Sequence, residues 1–130
     1  MIQTQAISPF TGLRVLVVDD EYLVAAYIET LLEDLGCEVV GPVATIAEGL
    51  AIVRTERLDG ALLDANLNGD SSAPIAAELR AGSIPFVVVT GYGRLKLEND
   101  TLSSAPRLTK PFDISEFENV VAATFLVHRI

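Results

Sequence analysis

An α/β domain on a parallel sheet is expected from this chain, on three observations. Short β-branched runs alternate with segments of helical periodicity, a strand–helix unit repeated about five times. The runs are apolar along most of their length, as strands covered on both faces are. Each stops abruptly at a polar or turn-forming residue. Right-handed crossovers between parallel strands then place helices on both faces of the sheet. With 130 residues, half of them hydrophobic, the chain has the size of one domain and can bury a core without staples.

Residues 13–18 (LRVLVV) form the first expected strand, ending at Asp19, Asp20 and Glu21. From residue 22 to 35 the period turns helical, with Leu23, Tyr27, Leu31, Val24, Ile28 and Leu35 on one broad inward face. Gly36 supplies the stop. Residues 37–43 read as a second strand, and Thr45 with Glu48 forms a T-x-x-E capping box that starts a helix through about Thr55. Residues 58–64 are a third strand closed by Asp64, and residues 66–70 are a loop by composition. Ser71 or Ser72 caps the next helix, with Pro74 in its first turn, where a missing N–H costs little. That helix ends near Ala81 and Gly82. Residues 84–90 (IPFVVVT) are the fourth strand. Residues 94–105 show little periodicity, so a short or irregular helix is expected there. Residues 107–109 are a short fifth strand before Lys110 and Pro111. Asp113 and Glu116 cap a last helix with Ile114, Phe117, Val120, Val121 and Phe125 inward. Residues 1–11 are expected to be a loosely attached extension, with residues 12–130 as the domain.

Composition narrows the function. The net charge is −9, from 18 acidic and 9 basic residues. Nucleic acids and anionic membranes bind proteins through Lys and Arg, so neither is an expected partner. Cys37 is the sole cysteine, which excludes an internal disulfide and suits a reducing compartment. It sits in an apolar run and reads as a small buried hydrophobe. The start lacks a signal-peptide pattern and no apolar stretch approaches membrane-spanning length, so a cytoplasmic protein is expected. His128 reads as a surface residue. There is no G-x-x-x-x-G-K-[ST] loop, no zinc pattern of His and Cys, and no nucleophile triad.

The chemistry lies in where the polar residues fall. Asp19 and Asp20 follow the first strand, Asp64 ends the third, Thr90 ends the fourth and Lys110 follows the fifth. In a parallel sheet these ends share one edge, where open α/β folds bind ligands. Two carboxylates about 4 Å apart repel by ~4 kcal/mol at an effective dielectric near 20. Three would need a cation. Magnesium suits them, because it takes one or two carboxylates, keeps waters and accepts a phosphate oxygen. A carboxylate edge with one lysine and one hydroxyl fits phosphoryl transfer. Taken singly, each residue serves equally as a turn, cap or surface residue; the joint occurrence carries the reading.

These blocks, VVDDE at 17–21, LLD at 62–64, VVVTG at 87–91 and KPF at 110–112, resemble the signature of response-regulator receiver domains of two-component signalling. They match in order and spacing across residues 13 to about 127. The resemblance implies a flavodoxin-like five-stranded parallel sheet of order 2-1-3-4-5. It implies Asp64 as phosphoacceptor and Asp20 as a magnesium ligand, with Asp19 acting directly or through water. The backbone carbonyl of Asn66 would complete the set, and Glu21 would be an outer ligand. Thr90 would hydrogen-bond the phosphoryl oxygen and Lys110 would pair with it. Pro111 falls where the family often has a cis Lys-Pro bond.

One position departs from the pattern. Receivers usually carry Tyr or Phe three residues before the lysine, and here that residue is Arg107. Residues 86–93 are similar to a single-domain subgroup with a Phe-x-x-x-Thr-Gly-Tyr-Gly element, which lacks the aromatic switch and has an atypical fourth helix. Tyr92 is the nearest aromatic substitute. The expected function is a single-domain response regulator. It takes phosphate from a sensor histidine kinase or histidine phosphotransferase and acts by protein contact or as a phosphate sink. It would be a monomer or weak homodimer, and not an enzyme beyond its own phosphoryl chemistry. The alternatives are a pseudo-receiver interaction module indifferent to phosphate, and a small phosphatase of the haloacid-dehalogenase type. The phosphatase fits poorly, because it wants D-x-D and a cap insertion.

Overall fold

The computed structural model describes residues 8–91 and 100–126 of the chain. Its elements run β1 (Arg14–Val18), α1 (Tyr22–Leu35), β2 (Glu38–Val43), α2 (Ile46–Thr55), β3 (Gly60–Asp64), β4 (Asn66–Leu67), β5 (Asp70–Ser71), α3 (Ala73–Ala81), β6 (Phe86–Thr90), α4 (Asp100–Ser103), β7 (Arg107–Thr109) and α5 (Ile114–Val121). A single π-helical turn, Ala122–Leu126, continues α5. The main sheet has five strands in the order β2-β1-β3-β6-β7, every pair parallel. This is the flavodoxin-like order, with β6 and β7 as the fourth and fifth long strands.

The sheet is buried on both faces because its strands are apolar at successive positions. Val15, Val17, Leu62, Val87 and Val89 face Ile28, Leu32, Phe117, Val121 and Phe125, which are contributed by α1, α5 and the π turn. Leu16, Val18, Leu63 and Val88 face the other way, onto Ile75, Ala76, Leu79 and Leu102 of α3 and α4. Helices therefore cover both faces, and α4 is a short helix of four residues. No helix among the described residues is long and apolar enough to cross a membrane.

Local signals account for the boundaries. Gly36 takes φ 102°, a left-handed turn that closes α1 and returns its N–H to the Glu33 and Leu32 carbonyls. Thr45 accepts the Glu48 N–H at 3.1 Å. Asp113 and Glu116 form the full reciprocal capping box. At α3 the N-cap position falls to Ser72, but it is Ser71 Oγ that accepts a free N–H, from Ala73 at 3.1 Å. Cys37 is buried, and burial together with the nearby Asp59 charge pushes its thiol up to about 11.

Four expectations need correction. In α1 the inward side chains are Ala25, Ile28, Leu31 and Leu32, whereas Leu23 is 79% and Tyr27 40% exposed. The apolar arc was broad enough for the neighbouring strands to take either edge of it. Ile114, expected inward, is exposed in the first turn of α5. Residues 66–71 are a tight hairpin rather than a loop, β4 pairing antiparallel with β5 about Asn68 and Gly69, which have φ 53° and 93°. Asn-Gly is the dipeptide that such a turn favours. Of residues 1–11, those at 8–11 are docked: Phe10 is buried in the core beside α1, and Ser8 Oγ donates to the Leu35 carbonyl at 2.6 Å. Tyr92 and His128 lie outside the described residues, as do residues 94–99 of the expected irregular segment.

Candidate functional site

Parallel register carries four strand ends to one rim. Val18 of β1 lies across from Leu63 of β3, Asp64 from Val89 of β6, and Thr90 from Thr109 of β7. Asp19 and Asp20, Asp64, Thr90 and Lys110 therefore meet there. Asp20, Asp64, Thr90 and Lys110, with Glu21, Asn66 and Gly91, line a cleft of about 220 Å³. Asp19 is buried beside it, 3% exposed.

Main-chain amides hold the acids in place. Asp19 Oδ1 accepts the Glu21 N–H at 2.8 Å and Asp64 Oδ1 accepts the Asn66 N–H at 3.1 Å, each turning the chain away from its strand. Asp20 Oδ2 accepts the Asn68 N–H at 2.9 Å, tying the β1 end to the hairpin. The Asn66 side chain is itself used in that hairpin, where its Oδ1 accepts the Gly69 N–H at 2.8 Å. Lys110 reaches in from behind β7. Its Nζ lies 3.3 Å from Asp64 Oδ2 and 3.4 Å from Asp19 Oδ2, and it donates a short hydrogen bond to Glu21. The bond that follows, Lys110–Pro111, is cis.

Three features show a centre short of positive charge and of hydrogen-bond partners. Burial, then the Asp19 charge, pushes the Asp64 carboxyl up to about 7, although the Asn66 N–H and Lys110 pull the other way. Lys110 is raised as well: burial works to lower it, but Glu21, Asp64 and Asp19 outweigh that. The Thr90 hydroxyl is 99% buried at the cleft wall and finds no hydrogen-bond partner among the described residues. A buried hydroxyl without a partner costs about 1–3 kcal/mol.

The donor set suits a hard divalent cation. One carboxylate oxygen from each of Asp19, Asp20 and Asp64 lies within 4.8 Å of the others. All are oxygen ligands, the type that magnesium and calcium take. The Glu21 carboxylate sits on Lys110 instead. Among the described residues, sequence reasoning thus named every polar residue that lines the cleft. It missed that the Asn66 side chain is spent on the turn, for which the Asn68-Gly69 pair was the available signal.

Comparison with known proteins agrees with this fold. The family model described as response regulator receiver domain matches residues 15–122. The chain is 29% identical over 112 residues to the phyllosphere-induced regulator PhyR of Methylorubrum extorquens, covering 84% of this chain and 42% of that protein. It thus spans less than half the length of the curated relatives that it matches. The solution structure of SdrG from Sphingomonas melonis Fr1 superposes with TM-score 0.77 at 38% identity, covering 89% of this chain and 97% of that one. The receiver domain of the sensor histidine kinase PA1611 from Pseudomonas aeruginosa PAO1, a structure with magnesium in its active-site cleft, shares the fold. Its TM-score is 0.74 at 24% identity, over 87% of this chain and 97% of that one.

Proposed function

This chain belongs to the response regulator receiver domain family, and on that premise we propose that it accepts a phosphoryl group on Asp64 and signals through protein contacts. One observation carries the reading. Three aspartate carboxylates gather within 4.8 Å of one another, with the Lys110 ammonium 3.3 Å from Asp64.

The donor would be a phosphohistidine on a sensor histidine kinase or histidine phosphotransferase. An Asp64 oxygen attacks phosphorus, the new O–P bond forms as the P–N bond breaks, and the imidazole leaves and takes up a proton. Lys110 and the Asn66 N–H favour the ionised carboxylate that this needs, against the burial that opposes it. The orphan Thr90 hydroxyl has a donor to give to a phosphoryl oxygen, and Lys110 supplies positive charge to another. A magnesium ion held by Asp19, Asp20, Asp64 and the main-chain carbonyl of Asn66 would neutralise the acids and shield the phosphoryl oxygens. The Asn66 side chain, taken up in the hairpin, leaves its carbonyl as the group on offer.

A donor protein would approach over the apolar side chains near the rim. Tyr22 and Leu23 are 81% and 79% exposed on the first turn of α1. Beside them a groove of about 470 Å³ runs between Val24, Tyr27, Pro111 and Phe112 to the cleft. A phosphoryl group adds a charge of roughly −1.5 to −2, and drawing Thr90 and Lys110 toward it would repack the β6 exit and the β7 end. A cytoplasmic monomer or weak homodimer suits such a carrier, whether it passes the signal on or acts as a phosphate sink.

Incubation with acetyl phosphate and magnesium, or with a phosphorylated kinase, should label the protein with base-labile phosphate, and Asp64→Asn should abolish the label. Equal labelling of the variant would reject the reading. Arg107, where the family usually has an aromatic, favours a second reading: an interaction module indifferent to phosphate. Under that reading Asp64→Asn leaves partner binding unchanged.

A further inference from the structure

We propose that Glu21 is a positioning residue whose carboxylate holds the Lys110 ammonium in a resting pose that an arriving phosphoryl group must displace. The inference rests on the phosphoryl-acceptor reading of Asp64.

Glu21 occupies the N-cap position of α1 with an extended backbone, yet its side chain makes no capping hydrogen bond. Ser, Thr, Asp and Asn are the residues that cap a helix from that position, so the glutamate side chain does not serve as the cap here. Nor does the carboxylate join the group that Asp19, Asp20 and Asp64 form within 4.8 Å. Its ion pair is with Lys110, across 89 residues of sequence. That contact is closer than those of Lys110 with Asp64 and Asp19, at 3.3 and 3.4 Å. The nearest carboxylate to the ammonium is thus Glu21 at the cleft mouth, with the acceptor and Asp19 farther off. The Lys110 side chain is 15% exposed, whereas that of Glu21 is 59% exposed. The amine is caged, and the anion that holds it can swing into solvent.

A phosphoryl oxygen on Asp64 competes with Glu21 for the same ammonium. Loss of the Glu21 charge should therefore tighten binding of a phosphoryl mimic. An exposed ion pair is worth ~0.2–1 kcal/mol, which sets the gain at up to about five-fold.

The test is a beryllofluoride titration in magnesium followed by amide resonances, on wild type, Glu21→Gln, Lys110→Met and the double variant. Glu21→Gln should bind more tightly by up to about five-fold, and the gain should vanish in the Lys110→Met background. The Lys110 ammonium signal should also broaden through faster proton exchange in resting Glu21→Gln, a readout that needs no second substitution. An unchanged or weaker affinity in Glu21→Gln overturns the inference while the acceptor reading stands. So does an equal gain in the Lys110→Met background, which would mean a general charge effect at the mouth. If wild type binds no beryllofluoride, or Asp64→Asn binds it equally well, the acceptor reading itself falls and the inference falls with it.

Discussion

Replacing Asp64 with asparagine in protein stripped of divalent ions removes one of three carboxylates gathered within 4.8 Å while keeping the side-chain volume. Burial and the Asp19 charge raise the Asp64 carboxyl from 3.8 to about 7. At 1.36 kcal/mol per tenfold change in proton affinity, ionising it in the fold costs about 4 kcal/mol relative to the unfolded chain. The sign follows from where the proton sits. Between about pH 4 and 7 the native state holds a proton that the unfolded state has released. Wild type therefore loses stability as pH rises through that window, and the loss is constant above it. Asparagine escapes this cost but gives up the pairing with Lys110 at 3.3 Å. The raised carboxyl already counts that pairing, so a gain of about 4 kcal/mol at pH 8 is expected, shrinking toward zero near pH 4. Urea unfolding of both proteins with a chelator, at several pH values, measures the gap directly. Excess magnesium should close it by stabilising wild type more than the variant. If the variant is less stable than wild type at pH 8 in chelator, or the gap is flat with pH, the electrostatic account of the cluster is wrong.

Thr90→Val should leave the resting fold as stable or stabilise it by about 1 kcal/mol, because it removes a buried hydroxyl with no partner. It should also weaken the response to beryllofluoride seen in amide spectra; an intact response would take Thr90 out of the site. Leu23→Asp should change urea stability by no more than about 0.5 kcal/mol, since the side chain is 79% exposed. It should slow phosphotransfer from a kinase but not labelling by acetyl phosphate, and equal slowing of both would remove α1 from the docking surface. Asp113→Ala breaks the reciprocal capping box of α5 and should cost about 1 kcal/mol by chemical denaturation. A smaller loss would mean that α5 is held by Phe117 and Val121 alone.

What the chain determined by itself is whatever rests on near neighbours. Apolar runs such as FVVVT at 86–90 specify strands because every side chain there can be buried. The T-x-x-E and D-x-x-E patterns specify helix starts because the capping atoms lie within three residues of the amides that they satisfy. The candidate site was legible for the same reason. Each acid, the threonine and the lysine stands at a strand end, and a parallel sheet brings those ends together.

Only the tertiary structure decided contacts that compete across distance. The apolar arc of α1 allowed more than one inward face; packing on β1 and β2 chose Ala25 and Leu32 and left Leu23 in solvent. Phe10 joins the buried cluster that holds Leu13, Ile28 and Leu32, which no local pattern encodes. The ammonium of Lys110 could serve any acid at the rim. Its closer contact with Glu21 follows from the distances among four side chains on three separate segments, and a linear sequence does not contain those distances.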